Sequence, residues 1–177
     1  MMTTKSYDRW RDGANAPVSA TFSARPSQSA RDPASPPYTR EALMLDVRRL
    51  RQAWKKYRKS RRRNAIYGFF DLIFQTVSIW QMERRANGRT WRALALRGCA
   101  MPDTIEPFRD LTVAAAHPSR IDNRTLAKWS RVLRYAAAYK IPGKPLDRFV
   151  MRRGGINGCA GLYTRRLGRG ATPKRKG

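Results

Sequence analysis

Residues 39–63 read TREALMLDVRRLRQAWKKYRKSRRR, and this stretch indicates the fold class of the chain. Its apolar side chains recur at spacings of four and three, which is the period of one face of an α-helix. These side chains are Leu43, Val47, Leu50, Trp54 and Tyr57. Thr39 is a favoured helix cap, and Glu41 falls in the first turn, where the helix dipole stabilises an anion. The stretch therefore predicts an amphipathic helix whose remaining surface is basic.

A second helix is predicted over residues 65–86, with Asn87-Gly88 as its C-terminal stop. Its apolar positions cover almost the whole circumference. They are Ile66, Phe69, Phe70, Leu72, Ile73, Phe74, Val77 and Trp80. A helix that is apolar nearly all round is either buried or in lipid. Asp71 and the basic residues at both ends favour burial against the first helix, and insertion of residues 65–82 into a membrane is the alternative.

The rest of the chain also has helical signals. A short helix is predicted over residues 90–97 and closed by Gly98, and another begins at Pro107 and ends at His117-Pro118. Asp122 or Asn123 caps a longer helix that runs to about Lys140. Further helices are expected from Pro145 to Val150 and from Ile156 to Leu167, joined by the turn at Gly154-Gly155. No segment has the alternating pattern of a strand, so we expect an all-α fold.

These elements predict four regions in the chain. Residues 1–37 are rich in Ser, Ala, Pro and Thr and are expected to form a disordered tail. Residues 38–117 form an amphipathic and apolar helical unit, and residues 118–168 form a basic unit of three helices. Residues 169–177 are expected to be a basic disordered tail.

Composition restricts the function more than any motif does. Lys and Arg total 38 against 12 Asp and Glu, which gives a formal net charge of +26. Residues 38–63 and 119–153 carry most of this charge, whereas residues 64–88 are neutral overall. A charge of this size favours polyanionic partners, namely nucleic acid or an anionic membrane surface. With one His and two Cys, the chain offers no usual zinc site, His-based catalysis or disulfide framework.

The predicted helix over residues 123–140 has the clearest binding face. Arg124, Lys128 and Arg131 recur at helical spacing together with Tyr135, opposite an apolar stripe that includes Trp129. Cations one turn apart can follow a nucleic-acid backbone, and a solvated helix face is the alternative. The full set of candidate phosphate contacts is Arg48, Arg51, Lys55, Arg62, Arg120, Arg124, Lys128, Arg131, Arg134, Arg152, Arg153, Arg165 and Arg166.

The helix, glycine turn and helix between Leu146 and Leu167 resemble a helix-turn-helix. In that comparison Asn157 is a base-reading residue near the start of the second helix, and Arg165 and Arg166 suit phosphates. Gly158 and Gly161 weaken the second helix as a recognition element. The alternative is a pair of short helices that complete a small bundle around Trp129.

The tryptophans on helical stripes, the two cysteines and the histidine are expected to have structural roles. Trp54, Trp80 and Trp129 lie on apolar stripes and are expected in the core. Cys99 and Cys159 are 60 positions apart and are expected to be buried thiols. His117 falls at a helix end, where an imidazole compensates the helix dipole. No catalytic residue, metal site or cofactor is therefore expected.

The sequence favours a DNA-binding accessory or regulatory protein that contacts phosphates. RNA ranks lower because no aromatic β-surface is visible. One alternative is a membrane-surface protein with a basic amphipathic helix and an inserted apolar helix. Another is a helical interaction module, including a homo-oligomer that pairs through its apolar helices. Residues 1–37 contain no apolar stretch of signal-peptide length, so a cytoplasmic location is expected, with the nucleoid as the site in a bacterium.

Overall fold

The computed structural model describes residues 38–60, Arg62 and residues 64–166. This part of the chain forms seven α-helices and contains no β-strand, which confirms the all-α class. The helices are α1 (Arg40–Lys59), α2 (Ile66–Met82), α3 (Ala86–Leu96), α4 (Pro107–Ala116), α5 (Asn123–Tyr139), α6 (Leu146–Met151) and α7 (Gly155–Arg166). The two predicted disordered tails lie outside the described residues.

α1 begins at the predicted cap. The hydroxyl oxygen of Thr39 accepts a hydrogen bond from the backbone N–H of Ala42 at 3.2 Å, which satisfies a first-turn donor. The buried residues of α1 are Leu43, Val47, Leu50 and Trp54. The helix ends at Lys59, earlier than the predicted end at residue 63. At Ser60 the backbone becomes extended, and the hydroxyl accepts a hydrogen bond from the N–H of Arg62, a local bond that competes with helix continuation.

α2 is the central helix, because it contacts α1, α3, α4, α5 and α6. Its buried residues are Ile66, Phe69, Phe70, Ile73, Thr76, Val77 and Trp80. Full burial contributes about 1.5–3 kcal/mol for each large apolar side chain, which accounts for the near-continuous apolar sequence of this helix. Among the described helices, none has both the length and the apolar character needed to cross a membrane.

The prediction that α2 ends at Asn87-Gly88 is wrong. α2 ends at Met82, and the chain reverses at Arg84, whose φ of 55° lies in the left-handed region. The N–H of Arg85 then donates to the carbonyl of Trp80 at 2.9 Å. Asn87-Gly88 therefore lies in the first turn of α3 instead of after the end of α2.

α4 has a reciprocal cap that the sequence did not predict in detail. Pro107 is its first residue, and Glu106 accepts a hydrogen bond from the N–H of Arg109 at 3.2 Å. The carboxylate of Asp110 accepts from the N–H of Glu106 at 2.7 Å. α4 ends at the predicted His117–Pro118 step, where the peptide bond is cis.

The three C-terminal helices follow their predicted signals. Asp122 is the α5 cap and accepts from the N–H of Thr125 at 2.8 Å. Gly154 and Gly155 have φ of 81° and 71°, the left-handed conformation that favours glycine in the turn before α7. Gly158 is required for another reason, since a Cβ there would overlap the carbonyl group of Arg153. Residues 167–168, which complete the predicted end of this helix, lie outside the described residues.

One hydrophobic core extends across the predicted boundary at residues 117 and 118. The ring of Phe70 on α2 and that of Trp129 on α5 have centroids 5.3 Å apart. Val132 and Leu133 of α5 are fully buried in the same cluster as the residues of α2. The predicted division into a 38–117 unit and a 118–168 unit is therefore not confirmed.

Candidate nucleic-acid interface

α1 presents a cationic surface over the part of its circumference that its buried stripe leaves uncovered. Residues 48–59 include seven Lys and Arg and no Asp or Glu, and only Arg51 among the seven is half-buried. This α1 basic face consists of Arg48, Arg49, Arg51, Lys55, Lys56, Arg58 and Lys59. The segment is about 17 Å long at the helical rise, and duplex DNA carries about one charge per 1.7 Å of axis. The α1 basic face can therefore meet several phosphates at once.

A cleft of about 200 Å³ lies between α1 and the connection from α4 to α5. Four cations of the α1 basic face form one wall, and residues 115–119 form the other. Trp54, which is 6% exposed, also lines this Trp54 cleft, and its indole Nε1 has no hydrogen-bond acceptor. A buried donor without an acceptor costs about 1–3 kcal/mol.

Arg97 compensates the negative end of α4 beside this cleft. Its guanidinium donates from Nε to the carbonyl of Ala114 at 3.3 Å and from Nη2 to that of His117 at 2.5 Å. Burial lowers the pKa of Arg97, and the neighbouring charge of Arg51 lowers it further. Because Arg97 neutralises the helix end, the α4 dipole opposes an anion in the cleft less strongly. Sequence reasoning assigned the compensation of the helix dipole to His117. It missed Arg97 because Arg97 lies 20 positions before His117 in the chain.

The N-terminal half of α5 carries the second candidate surface. Arg124 and Arg131 are exposed, and Lys128 between them is half-buried. Arg124 and Arg131 are separated by about 10 Å along the helix axis. Arg120 is exposed and directly follows Ser119, which lines the Trp54 cleft. We call Arg120, Arg124, Lys128 and Arg131 the α5 basic face.

The prediction that Tyr135 shares this face is wrong. Tyr135 is 2% exposed, and its ring centroid is 4.7 Å from that of Tyr139 and 6.0 Å from that of Phe149. Because α6 and α7 both pack on α5, the buried arc of α5 is wider than the single stripe through Trp129. The cationic surface of α5 is correspondingly narrower than predicted.

An aromatic cluster links the two helices that carry the basic faces. The ring of Trp129 on α5 has its centroid 6.3 Å from that of Trp54 and 6.1 Å from that of Tyr57, both on α1. These edge-to-face contacts fix where α1 and α5 meet.

The remaining candidate phosphate contacts differ in whether their side chains are exposed or packed on aromatic rings. Arg153 is half-buried, with its guanidinium carbon 3.9 Å from the ring centroid of Phe149, and it also donates to that residue's carbonyl at 3.4 Å. Arg134 and Arg166 lie over the rings of Tyr163 and Tyr139 at 4.9 and 5.7 Å. Such cation–π contacts stabilise the packing of α5 and α7. Arg152 and Arg165 are exposed, and Arg62 is exposed beyond the end of α1.

Carboxylates in the described residues are used within the fold. Asp122 caps α5, and Glu106 and Asp110 hold the start of α4. Within 38–60, 62 and 64–166, the single ion pair shorter than 4 Å joins Glu83 to Arg89. The α1 and α5 basic faces therefore keep their positive charge, which favours a polyanionic partner.

The cysteines and the metal-ligating residue types have defined environments in this part of the chain. Cys99 and Cys159 are both free thiols. Cys159 is fully buried as predicted, whereas Cys99 is only half-buried, so the prediction of a buried thiol is wrong for Cys99. Burial raises the pKa of Cys159 to about 11, which suppresses its thiolate form. The described residues contain no group of three or more His, Cys, Asp or Glu side chains placed to hold a metal ion.

Sequence reasoning missed a second arginine cluster at the start of α3. Arg84, Arg85, Arg89 and Arg92 surround a cavity there, together with Tyr38. The adjacent Arg84-Arg85 pair after an apolar helix was a signal in the sequence. This signal was not recognised because α2 was predicted to extend to residue 86, which placed Arg84 and Arg85 inside that helix.

Comparison with known proteins found no relative. No protein-family model, curated protein sequence or solved structure matches this chain. The resemblance of residues 146–167 to a helix-turn-helix gains no support from a structural neighbour. In the structure α6 has only six residues, and α7 buries Cys159 and Ala160 while it packs along α5.

Proposed function

We propose that this protein binds nucleic acid through phosphate contacts from the α1 and α5 basic faces, in a DNA-binding accessory or regulatory role. The Trp54 cleft is the observation that carries this function. Four of its lining residues are Lys or Arg, none is Asp or Glu, and the indole N–H of Trp54 has no acceptor. A phosphate group supplies the negative charge that the lining of this cleft lacks, and its oxygens accept charge-assisted hydrogen bonds from Lys and Arg.

The partner is a nucleic-acid backbone rather than particular bases. The cations of the α1 basic face are spread along a rigid helix, and phosphates recur along a backbone in every sequence. Each phosphate neutralised by Lys or Arg releases counterions, so binding by this face depends strongly on salt. The protein therefore binds many sequences with similar affinity.

Duplex DNA suits this surface better than single strands. Proteins that bind single strands stack unpaired bases on exposed aromatic rings. Trp54, Trp80 and Trp129 are instead buried by 92% or more, and the exposed Trp91 does not line the Trp54 cleft. Because these rings are packed in the core, the surface binds mainly through its charge. Duplex DNA has a higher charge density than a single strand and is therefore the better partner.

The membrane alternative needs apolar surface that the fold uses elsewhere. An interfacial helix inserts its apolar face into the lipid, and the apolar stripe of α1 is buried against the other helices. Six large apolar side chains of α2 are likewise in the core, and only Ile79 and Met82 near its C-terminal end are exposed. Pairing of two copies through these stripes would require the same buried residues.

Parallel binding assays separate nucleic acid from membrane. Fluorescence anisotropy with a labelled duplex and flotation with vesicles of anionic phosphatidylserine and phosphatidylcholine use the same full-length protein and the same salt. We expect saturable binding to the duplex and to an unrelated duplex, with much weaker recovery on vesicles. Strong flotation with no binding to either duplex would contradict the proposed function.

A further inference from the structure

Two adjoining cavities lie at the opposite end of α1 from the Trp54 cleft. The first, which we call the arginine pocket, has a volume of about 320 Å³, and the second, the apolar pocket, about 480 Å³. They share Tyr38, Arg89 and Arg92 as lining residues. Small-molecule sites typically have volumes of about 300–1,000 Å³, so the pair has the size of a site for a compact organic ligand.

The arginine pocket concentrates positive charge. Besides Arg89 and Arg92, its lining includes Arg84 and Arg85, and no carboxylate lines it. Arg84, Arg85 and Arg92 are exposed at its mouth. The nearby carboxylate of Glu83 is paired with Arg89, and it offsets only part of this charge. A small ligand with one or two negative charges fits this balance.

The start of α3 adds backbone donors to the same pocket. Arg85 occupies the cap position, and no side chain there accepts a hydrogen bond from the first turn. Gly88, in that turn, lines the pocket and has open space where a Cβ would lie. Uncapped N–H groups at a helix start, together with the helix dipole, bind phosphate oxygens.

The buried guanidinium of Arg89 is an independent sign of a ligand. Arg89 is 3% exposed, and its Nη1 has no hydrogen-bond partner, whereas its Nη2 pairs with Glu83. Its Cζ lies 3.6 Å from the ring centroid of Tyr38, whose hydroxyl donates to Asp46 at 2.5 Å. The aromatic ring and Glu83 therefore hold this cation in the wall of both pockets. One side of it is still unsatisfied, and a buried charged donor without a partner is costly.

The apolar pocket has a different chemistry. Leu43, Ala95 and Leu96 line it together with Tyr38, and Thr39, Arg40, Arg89 and Arg92 complete its lining. An anion alone would leave this apolar surface in contact with water. A flat, weakly polar group attached to the anion would cover it.

We propose that the two pockets together bind a nucleoside phosphate, with the phosphate in the arginine pocket and the nucleoside in the apolar pocket. Two sources have this chemistry, namely a free mononucleotide and the 5′-phosphorylated end of a nucleic-acid strand. The site shares no lining residue with the Trp54 cleft. It therefore stands independently of the proposed duplex-binding function.

Calorimetry on the full-length protein, freed of copurifying nucleic acid, tests the site. The probes are adenosine monophosphate, adenosine and inorganic phosphate. We expect the nucleotide to bind at least about tenfold more tightly than either fragment, because each pocket contributes. The double variant Arg85→Gln, Arg92→Gln should lose about tenfold or more in nucleotide affinity, since two charge-assisted hydrogen bonds disappear.

A matched control removes the same charge elsewhere. The double variant Arg109→Gln, Arg148→Gln changes exposed residues on α4 and α6 that line none of these pockets, and it should bind the nucleotide like the unmodified protein. Equal losses in both double variants would show an effect of net charge only and would overturn the proposal. Binding of inorganic phosphate as tight as that of the nucleotide would overturn the role of the apolar pocket.

Oligonucleotides distinguish the two sources. A 5′-phosphorylated single strand that binds more tightly than its 5′-hydroxyl counterpart, with the difference lost in the Arg85→Gln, Arg92→Gln variant, would identify a strand end as ligand. Binding of the mononucleotide without such a difference would identify the free nucleotide. The proposal is wrong if adenosine monophosphate binds no more tightly than adenosine and the 5′-phosphorylated strand binds no more tightly than the 5′-hydroxyl strand.

Discussion

The indole rings of Trp54 and Trp129 meet edge to face, with centroids 6.3 Å apart, although the two residues are 75 positions apart in the chain. This contact joins the first long helix to the fifth. The two helices that meet at this contact carry the α1 and α5 basic faces. The binding surface therefore depends on the core beneath it, and core variants must be separated from surface variants in any test of function.

Phe70→Asp should unfold the protein. Phe70 is 1% exposed, and its ring centroid is 5.3 Å from that of Trp129, so the carboxylate would be buried without a partner. Truncating a buried Phe already costs about 3–5 kcal/mol, and an unpaired charge adds to that cost. Circular dichroism should show loss of the cooperative transition, whereas Phe70→Leu should retain it. A soluble, helical Phe70→Asp protein that lost only lipid binding would instead support the membrane alternative.

The pH dependence of stability should reveal Asp110. Burial raises the pKa of this carboxyl, although the N–H of Glu106 partly opposes the shift. Since the folded-state pKa lies above the unfolded one, the contribution of Asp110 to stability is present at low pH and is lost as pH rises through the folded pKa. Asp110→Asn keeps an acceptor for Glu106 and cannot ionise, so it should gain stability relative to the unmodified protein as pH rises from about 3.9. The check is urea unfolding of both proteins across this range, and a gain that shrinks with rising pH would contradict the assignment.

The two thiols should differ in reactivity. Cys159 is fully buried with its pKa raised to about 11, so about one molecule in a thousand has the thiolate at pH 8. Cys99 is half-buried, and its pKa is also raised by burial. Ellman's reagent should label one thiol readily and the second only when the protein unfolds. In Cys99→Ser the fast phase should disappear, and its persistence would place Cys159 at the surface.

Local sequence signals predicted much of the fold. Thr39, Pro107 and Asp122 act on residues within one turn, so their roles at the starts of α1, α4 and α5 follow from the sequence alone. The apolar stripe of α1 likewise predicted which face of this helix is buried. The end of α2 could not be predicted in the same way, because Arg84 adopts a left-handed conformation that arginine itself does not signal.

Contacts between helices that are distant in the chain could not be predicted from the sequence. Tyr135 lies at an apparently polar helical position, and it is buried because α6 and α7 return over α5. Arg97 reaches carbonyls of α4 that are 17 and 20 positions away. The pocket around Arg89 likewise requires Tyr38 from before α1 and Arg92 from α3. Such pairings depend on how the helices pack, which no local pattern encodes.

Replacing Arg124, Lys128 and Arg131 with Gln should weaken duplex binding without unfolding the protein. Arg124 and Arg131 are exposed, and the half-buried Lys128 has room for the shorter Gln side chain. The loss of affinity should be nearly equal for unrelated duplexes, because these residues are assigned to phosphates. Anisotropy titrations with two unrelated sequences provide the measurement. A loss confined to one sequence would indicate base reading, and no loss would remove the α5 basic face from the interface.

The salt dependence of duplex binding tests the Trp54 cleft most directly. The triple variant Lys55→Gln, Arg58→Gln, Lys59→Gln removes three cations from its α1 wall, and Arg109→Gln, Lys144→Gln, Arg148→Gln removes three exposed cations from elsewhere. The slope of log affinity against log salt should flatten by up to about 3 units in the cleft variant, since each phosphate contact contributes about 0.9. The control variant should keep the slope of the unmodified protein. Equal slopes in all three folded proteins would contradict phosphate binding at the cleft.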